Sequence, residues 1–318
     1  MVGLGKEAER DLTIAIRLTL YDQQRSTQSG VIFCVGGEFI KMEAQVRCSR
    51  STKTMSTTWL LRLFCTLLAV SYSYPEFGRA LEAPKDIFIL AGQSNMAGRG
   101  GVRHGKWDGN VPPECRPNPS ILRLSPQLQW EEAHEPLHTG IGPPKTQGVG
   151  PGLAFANEIR AKGSMVGVVG LVPCAVGGTK ISAWARGTTL YNELVRRTKA
   201  SVSGGGQLRA ILWYQGESDT VRSEDAEAYK GNLEKLIIDL RSDLSHPTLL
   251  FIQVALGSGE GKFIETVRRG QLGIRLPNVK CVDAKGLRLE PDKLHLTTIA
   301  QIHLAQKLAA AFLAGDQS

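Results

Sequence analysis

Asp86-Ile87-Phe88-Ile89-Leu90-Ala91, followed at once by Gly92-Gln93-Ser94-Asn95-Met96, is the stretch on which the reading of this chain turns. A short apolar, β-branched run bounded by Pro84 and a glycine reads as a strand buried on both faces. The residues after it place a hydroxyl, Ser94, at the strand's carboxyl end. Four further runs repeat the pattern at residues 165–172 (MVGVVGLV), 208–214 (LRAILWY), 248–256 (TLLFIQVAL) and 279–284 (VKCVDA). Helical patterns occupy 152–162, 190–200, 224–241, 263–276 and 297–313. This alternation predicts an α/β fold in which a mostly parallel, five-stranded sheet is covered by helices on both faces. Residues 99–150, rich in Gly, Pro and His without a strong period, are expected to form a long functional loop over the strand ends.

The length of 318 residues allows one large domain or two smaller ones. Hydrophobic residues at 42% and charged residues at 21% exclude both a polytopic membrane protein and a wholly disordered chain. The net charge of +8 is scattered, without a block of like charges, and predicts no nucleic-acid partner. Cys34, Cys48, Cys65, Cys115, Cys174 and Cys281 contain no CxxC pair, which argues against a zinc ribbon or a disulfide scaffold. Residues 1–54 read as an N-terminal extension without a sustained period or a recognisable role. From Met55 the sequence changes character. The apolar run 59–70, broken by Arg62, is shorter than the roughly 20 residues of a membrane span, and Ala69-Val70-Ser71 supplies a small-x-small cleavage pattern. Residues 55–71 are therefore expected to be a signal peptide, with secretion if translation starts near Met55. A chain that starts at Met1 would instead carry this run as a buried or interfacial helix. The compact domain is expected to cover 84–318.

Ligands of open parallel sheets bind beyond the carboxyl ends of the strands. The residues found there are Ser94, then Gly177-Gly178-Thr179, then Gln215-Gly216-Glu217-Ser218-Asp219, and finally Asp292 and His295. A serine hydroxyl becomes a nucleophile when an imidazole takes its proton, and the imidazole needs an acceptor to fix its tautomer. Ser94, His295 and Asp292 can fill these roles. The developing oxyanion needs donors, for which the backbone N–H groups of Ser94 and Gly177 and the side-chain amide of Gln215 are the candidates. Gly178 is the alternative to Gly177.

Plainer readings compete at several of these positions. Ser94 could cap a helix N-terminus. Glu217 and Asp219, two apart on an extended chain, would face opposite ways, which argues against a glycosidase pair. They are expected to order the loop or to meet sugar hydroxyls, with Glu217 and His138 as substrate-binding candidates. His134-Glu135-Pro136-Leu137-His138 spells H-E-x-x-H, but a proline interrupts the helix that a zinc site of this type requires, so no metal is expected. Trp130 and Trp184 are open between stacking on a sugar and packing in the core.

The ordered blocks Gly-Gln-Ser-Asn-Met, Gly-Gly-Thr-Lys-Ile-Ser-Ala-Trp, Trp-Tyr-Gln-Gly-Glu-Ser-Asp and Asp-x-x-His resemble the SGNH hydrolases of the sialate O-acetylesterase-like group, which includes plant carbohydrate esterases of family six. The resemblance covers residues 84–314. It implies a three-layer α/β/α fold with a flavodoxin-like sheet and hydrolysis of O-acetyl groups from an acetylated carbohydrate, without cofactor or metal. It also implies Ser94 as nucleophile, His295 as base and Asp292 as its partner. The superfamily generally carries Asn in the third block, where this chain has Gln215. Two rival functions fit parts of the pattern. One is a carbohydrate O-acetyltransferase that uses the same triad with a sugar hydroxyl as acceptor. The other is a non-catalytic flavodoxin-like module in which Gly177-Gly178-Thr179-Lys180 cradles a phosphate; it lacks phosphate-loop spacing and leaves Ser94 and His295 without a role.

Overall fold

The computed structural model describes residues 29–35, 38–44, 86–163 and 167–314. The chain divides into two compact units, Met1–Arg79 and Ala80–Ser318. In the first, β1 (Ser29–Val35) pairs antiparallel with β2 (Glu38–Ala44), an element pair that the aperiodic sequence of this region does not announce. The expected signal peptide, 55–71, and the Pro84 boundary lie outside the described residues. Among the described residues no helix is long and apolar enough to cross a membrane.

The second unit is built on a seven-stranded sheet. It opens with β3 (Asp86–Gly92) and the single-turn α1 (Ser94–Ala97), and a small ribbon follows, β4 (Val102–Arg103) with β5 (Lys106–Trp107). Next come β6 (Ile121–Leu124), β7 (Trp130–Glu132), α2 (Gly152–Ala161), β8 (Val169–Pro173), α3 (Thr189–Val202) and β9 (Gln207–Tyr214). The chain ends with α4 (Ser223–Asp243), β10 (Leu250–Ala255), α5 (Ile264–Leu272), β11 (Val279–Asp283) and α6 (Thr298–Leu313). The strand order is β11-β10-β9-β3-β8-β6-β7, with every pairing parallel except β6 with β7. All five expected strands are present. The two additional ones, β6 and β7, come from the stretch expected to be a loop; they are short and lie at one edge, where a weak pattern suffices.

Strand β3 is central, with β8 on one side and β9 on the other, so the chain changes direction across the sheet beside it. Such a switch point leaves a crevice above the strand ends. Below it the two faces bury different aromatic clusters. Phe88 meets Phe155 of α2 and Phe312 of α6 edge-to-face, at centroid distances of 5.1 and 5.0 Å. Phe88 lies opposite Ala210 of β9, so Trp213, an odd number of residues further on, points to the other face. There it stacks edge-on against Trp184 at 5.2 Å, which resolves Trp184 as a core residue.

A buried cation supports the β6–β8 side. Arg197 of α3, 1% exposed, donates to the carbonyls of Pro173, Ser125 and Leu124 at 3.0, 3.0 and 2.7 Å. Replacing it by methionine keeps much of the volume but strands three carbonyls. Arg197→Met is therefore expected to lower stability by about 3 kcal/mol or more, read as a drop in the denaturation midpoint with native-like circular dichroism at low temperature.

Candidate active site

The turn that carries Ser94 depends on Gly92. This residue has φ of 125°, and a Cβ there would sit 2.1 Å from the carbonyl oxygen of Tyr214. Only glycine tolerates both the conformation and the approach. Gln93 N–H then donates to that same carbonyl at 2.8 Å, which ties the turn to the end of β9. Ser94 is the first residue of α1 and not its cap: Gln93 occupies the cap position, and the Ser94 hydroxyl is directed elsewhere.

It is directed to His295, with Oγ 2.9 Å from Nε2. The other ring nitrogen, Nδ1, lies 2.6 Å from Asp292 Oδ2. An ionised carboxylate can only accept, so Nδ1 carries the proton and Nε2 offers its lone pair to the serine. The Asp292 carboxylate also shapes its own segment, with Oδ1 accepting the N–H groups of Leu294 and His295, each at 2.9 Å. The segment is latched to the Ser94 turn by residues that sequence reading did not single out. Asn95 Oδ1 accepts from Leu296 N–H at 2.9 Å, Ser258 donates to the Leu294 carbonyl at 2.5 Å, and Gln301 donates to the Asn95 carbonyl at 3.0 Å. Burial pulls the His295 imidazole below its ordinary pKa, and Asp292 offsets part of that effect. Burial acts to raise the Asp292 carboxyl, but the N–H groups and the imidazole that it accepts from outweigh this and hold it low.

Gly177 lies against the serine, since a Cβ on it would fall 3.2 Å from Ser94 Cβ. Gly178 instead has φ of 75° and faces Lys145 Nζ. Neither the N–H of Ser94 nor that of Gly177 has a hydrogen-bond partner among the described residues. The Gln215 amide, expected as a third donor, is occupied. Its Nε2 donates to Asp219 Oδ2 at 2.6 Å and to the Thr179 carbonyl at 2.8 Å, and it is fully buried. The reason is a short 3₁₀ turn, Glu217–Thr220, that folds the Asp219 carboxylate back onto the amide.

The carbohydrate esterase family described as sialic acid-specific acetylesterase matches residues 84–314. The chain belongs to this family. A probable carbohydrate esterase of Arabidopsis thaliana is 56% identical over 237 residues, which span 72% of this chain and 91% of the relative. The crystal structure of that Arabidopsis protein superposes with a TM-score of 0.70, covering 73% of this chain and 98% of that one. NanS shares the fold at 17% identity, with a TM-score of 0.58 over 74% of this chain and 98% of its own.

Two further residues expected at the substrate in this acetylesterase-family chain are elsewhere. Glu217 is fully buried beneath the site, where it accepts from Asn95 Nδ2 at 2.8 Å, and burial pushes its carboxyl up to about 7. It supports the Ser94 turn through Asn95 and, being fully buried, is out of reach of a sugar. His138 is 1% exposed, and burial drives it down to about 3. The segment that contains it buries both Leu137 and His138, so the imidazole is turned inward. His134 is exposed and His138 buried on a non-helical segment, so the H-E-x-x-H spelling forms no shared helix face. Asp219 does order the loop, accepting from Ile181 N–H at 3.1 Å, with burial pushing its carboxyl up to about 6. Trp130 is half-buried on β7.

Proposed function

We propose that this protein is a serine esterase that removes O-acetyl groups from carbohydrates through an acyl-serine intermediate. The observation that carries the reading is the continuous relay from Asp292 through His295 to Ser94, at 2.6 and 2.9 Å, beside two N–H groups without a partner among the described residues. His295 Nε2 takes the hydroxyl proton as Ser94 Oγ bonds to the acetyl carbon. The Ser94 and Gly177 N–H groups meet the oxyanion, and the bond to the sugar oxygen breaks as His295 returns the proton to that oxygen. Water then repeats the sequence and releases acetate. The cavity beside Ser94 is only about 30 Å³, with Ala175 and Val176 in its lining, and favours a short acyl group over a long one. Export of the domain, supported by the run 59–70 and its small-residue pattern, belongs to the same proposal.

The test is acetate release from acetylated xylan and from a small aryl acetate, with rapid acid quench to detect acetyl on Ser94. Acetyl transfer to an added sugar hydroxyl without free acetate would favour the transferase instead. The pH profile follows from the His295 environment. The base must be neutral, and burial lowers its pKa below the ordinary 6.5. The acid limb of kcat/KM should therefore have a midpoint below 6.5, so that activity persists into mildly acidic solution; a midpoint well above it would contradict the assignment of His295 as base.

A further inference from the structure

The Ser94 cavity has cations on one wall. Arg99 and Lys145 both line it. Arg99 Nη1 donates to the Thr146 carbonyl at 2.8 Å, while its Nε is buried without a partner. Lys145 is exposed and reaches only the Gly177 carbonyl, at 3.4 Å. Neither has a carboxylate at ion-pair distance among the described residues. Arg99 also lines a second cavity of about 400 Å³, together with Asp292, Arg103 and His104. Through Arg103, Glu290 and Pro291 this adjoins a third of about 670 Å³, lined further by Arg288, His303 and the exposed Ile299. A volume of that order suits a ligand larger than one acetyl group.

The acids along this path are already engaged. Asp292 holds His295, Glu290 accepts from Gly101 N–H at 3.2 Å and Arg103 Nε at 3.1 Å, and Asp108 accepts from Asn110 N–H at 2.9 Å. Glu260, which accepts from Ser218 at 2.8 Å and acts on His295, is absent from the residues lining all three cavities. The cavity at Ser94 is thus lined by two cations, Arg99 and Lys145, and by no carboxylate, whereas the adjoining cavities set Arg103 and Arg288 among Asp108, Glu290 and Asp292. A guanidinium beside the reacting centre with free donors is suited to a carboxylate.

We propose that the substrate is an O-acetylated polyuronate, with Arg99 and Lys145 reading the carboxylate of the acetyl-bearing sugar and the adjoining groove past Arg103 and Arg288 holding the neighbouring units. This rests on the esterase reading above. The test compares partially O-acetylated polygalacturonate with the same polymer after its carboxyl groups have been reduced to alcohols, with a small aryl acetate as reference. The wild-type protein should release acetate from the acidic polymer with kcat/KM at least about tenfold higher, a preference that shrinks as salt screens the charges. Arg99→Gln and Lys145→Gln should each reduce that preference; the second keeps the test valid if the first disturbs folding, because Lys145 is exposed. Equal kcat/KM on the two polymers, or an undiminished preference in both variants, would overturn the proposal while aryl acetate turnover leaves the esterase reading standing. No acetate from any of the three substrates would bring down both.

Discussion

Ser94→Ala abolishes acetate release with the fold intact, and a Ser94→Ala/His295→Ala double variant is hardly worse than either single one. The expectation follows from geometry in which the imidazole has one outlet for its lone pair, the serine hydroxyl 2.9 Å away. Without the hydroxyl the base has nothing to activate; without the base the hydroxyl stays protonated and weakly nucleophilic. Losses in such a unit do not add. What remains is catalysis by binding and by the oxyanion donors, about 10³- to 10⁴-fold over water in other serine hydrolases. Acetate release from an aryl acetate, measured for all three variants beside circular dichroism, reads the effect. A folded Ser94→Ala protein with near wild-type turnover would refute the mechanism.

Asp292→Asn should cost up to about 10⁴-fold in kcat, as loss of the corresponding carboxylate does in other serine hydrolases. Here the carboxylate has two tasks. Oδ1 accepts two backbone N–H groups that set the turn, and Oδ2 accepts the Nδ1 proton that orients the ring. An asparagine oxygen can take over only one of them. If it stays with the backbone, the amide N–H₂ faces Nδ1 and drives the proton to Nε2, where it blocks transfer from Ser94. The charge matters separately. Asp292 raises the His295 pKa against the pull of burial, so its neutralisation should move the acid limb of the residual activity to still lower pH. A limb that stays in place would show that the carboxylate acts through orientation alone.

The legibility of the fold differed from element to element. Strands β3, β8, β9 and β10 are buried over most of their length and therefore mostly apolar, the edge strand β11 is only partly buried but keeps Val279 and Val282, and the helices keep a helical period, so each declares itself locally. Strands β6 and β7 do not. They are four and three residues long, and Trp130-Glu131-Glu132 is a strand only because Leu124 and its neighbours lie alongside to pair with it. Gln215, Glu217 and His138 show the same limit at the site. Each has a residue type suited to substrate, but the direction of its side chain depends on a turn or loop whose course is set by distant contacts. The Asn95–Leu296 and Ser258–Leu294 bonds had no sequence signal at all, since each links segments far apart in the chain.

By itself the sequence determined the parallel α/β architecture, the residue types at each strand's carboxyl end, and the Asp292-to-His295 spacing that a single turn can close. These are local properties, governed by burial pattern and by bonds spanning a few residues. Only the tertiary structure decided that Ser94 and His295, 201 positions apart, meet at hydrogen-bond distance. It also decided that the Gln215 amide is spent on Asp219, that Gly177 and not Gly178 lies against the serine, and that Arg99 and Lys145 line the cavity at Ser94. The strand order and the folding back of the connecting loops select which of many polar side chains converge, and a side chain's hydrogen bonds can be assigned only once its neighbours in space are known.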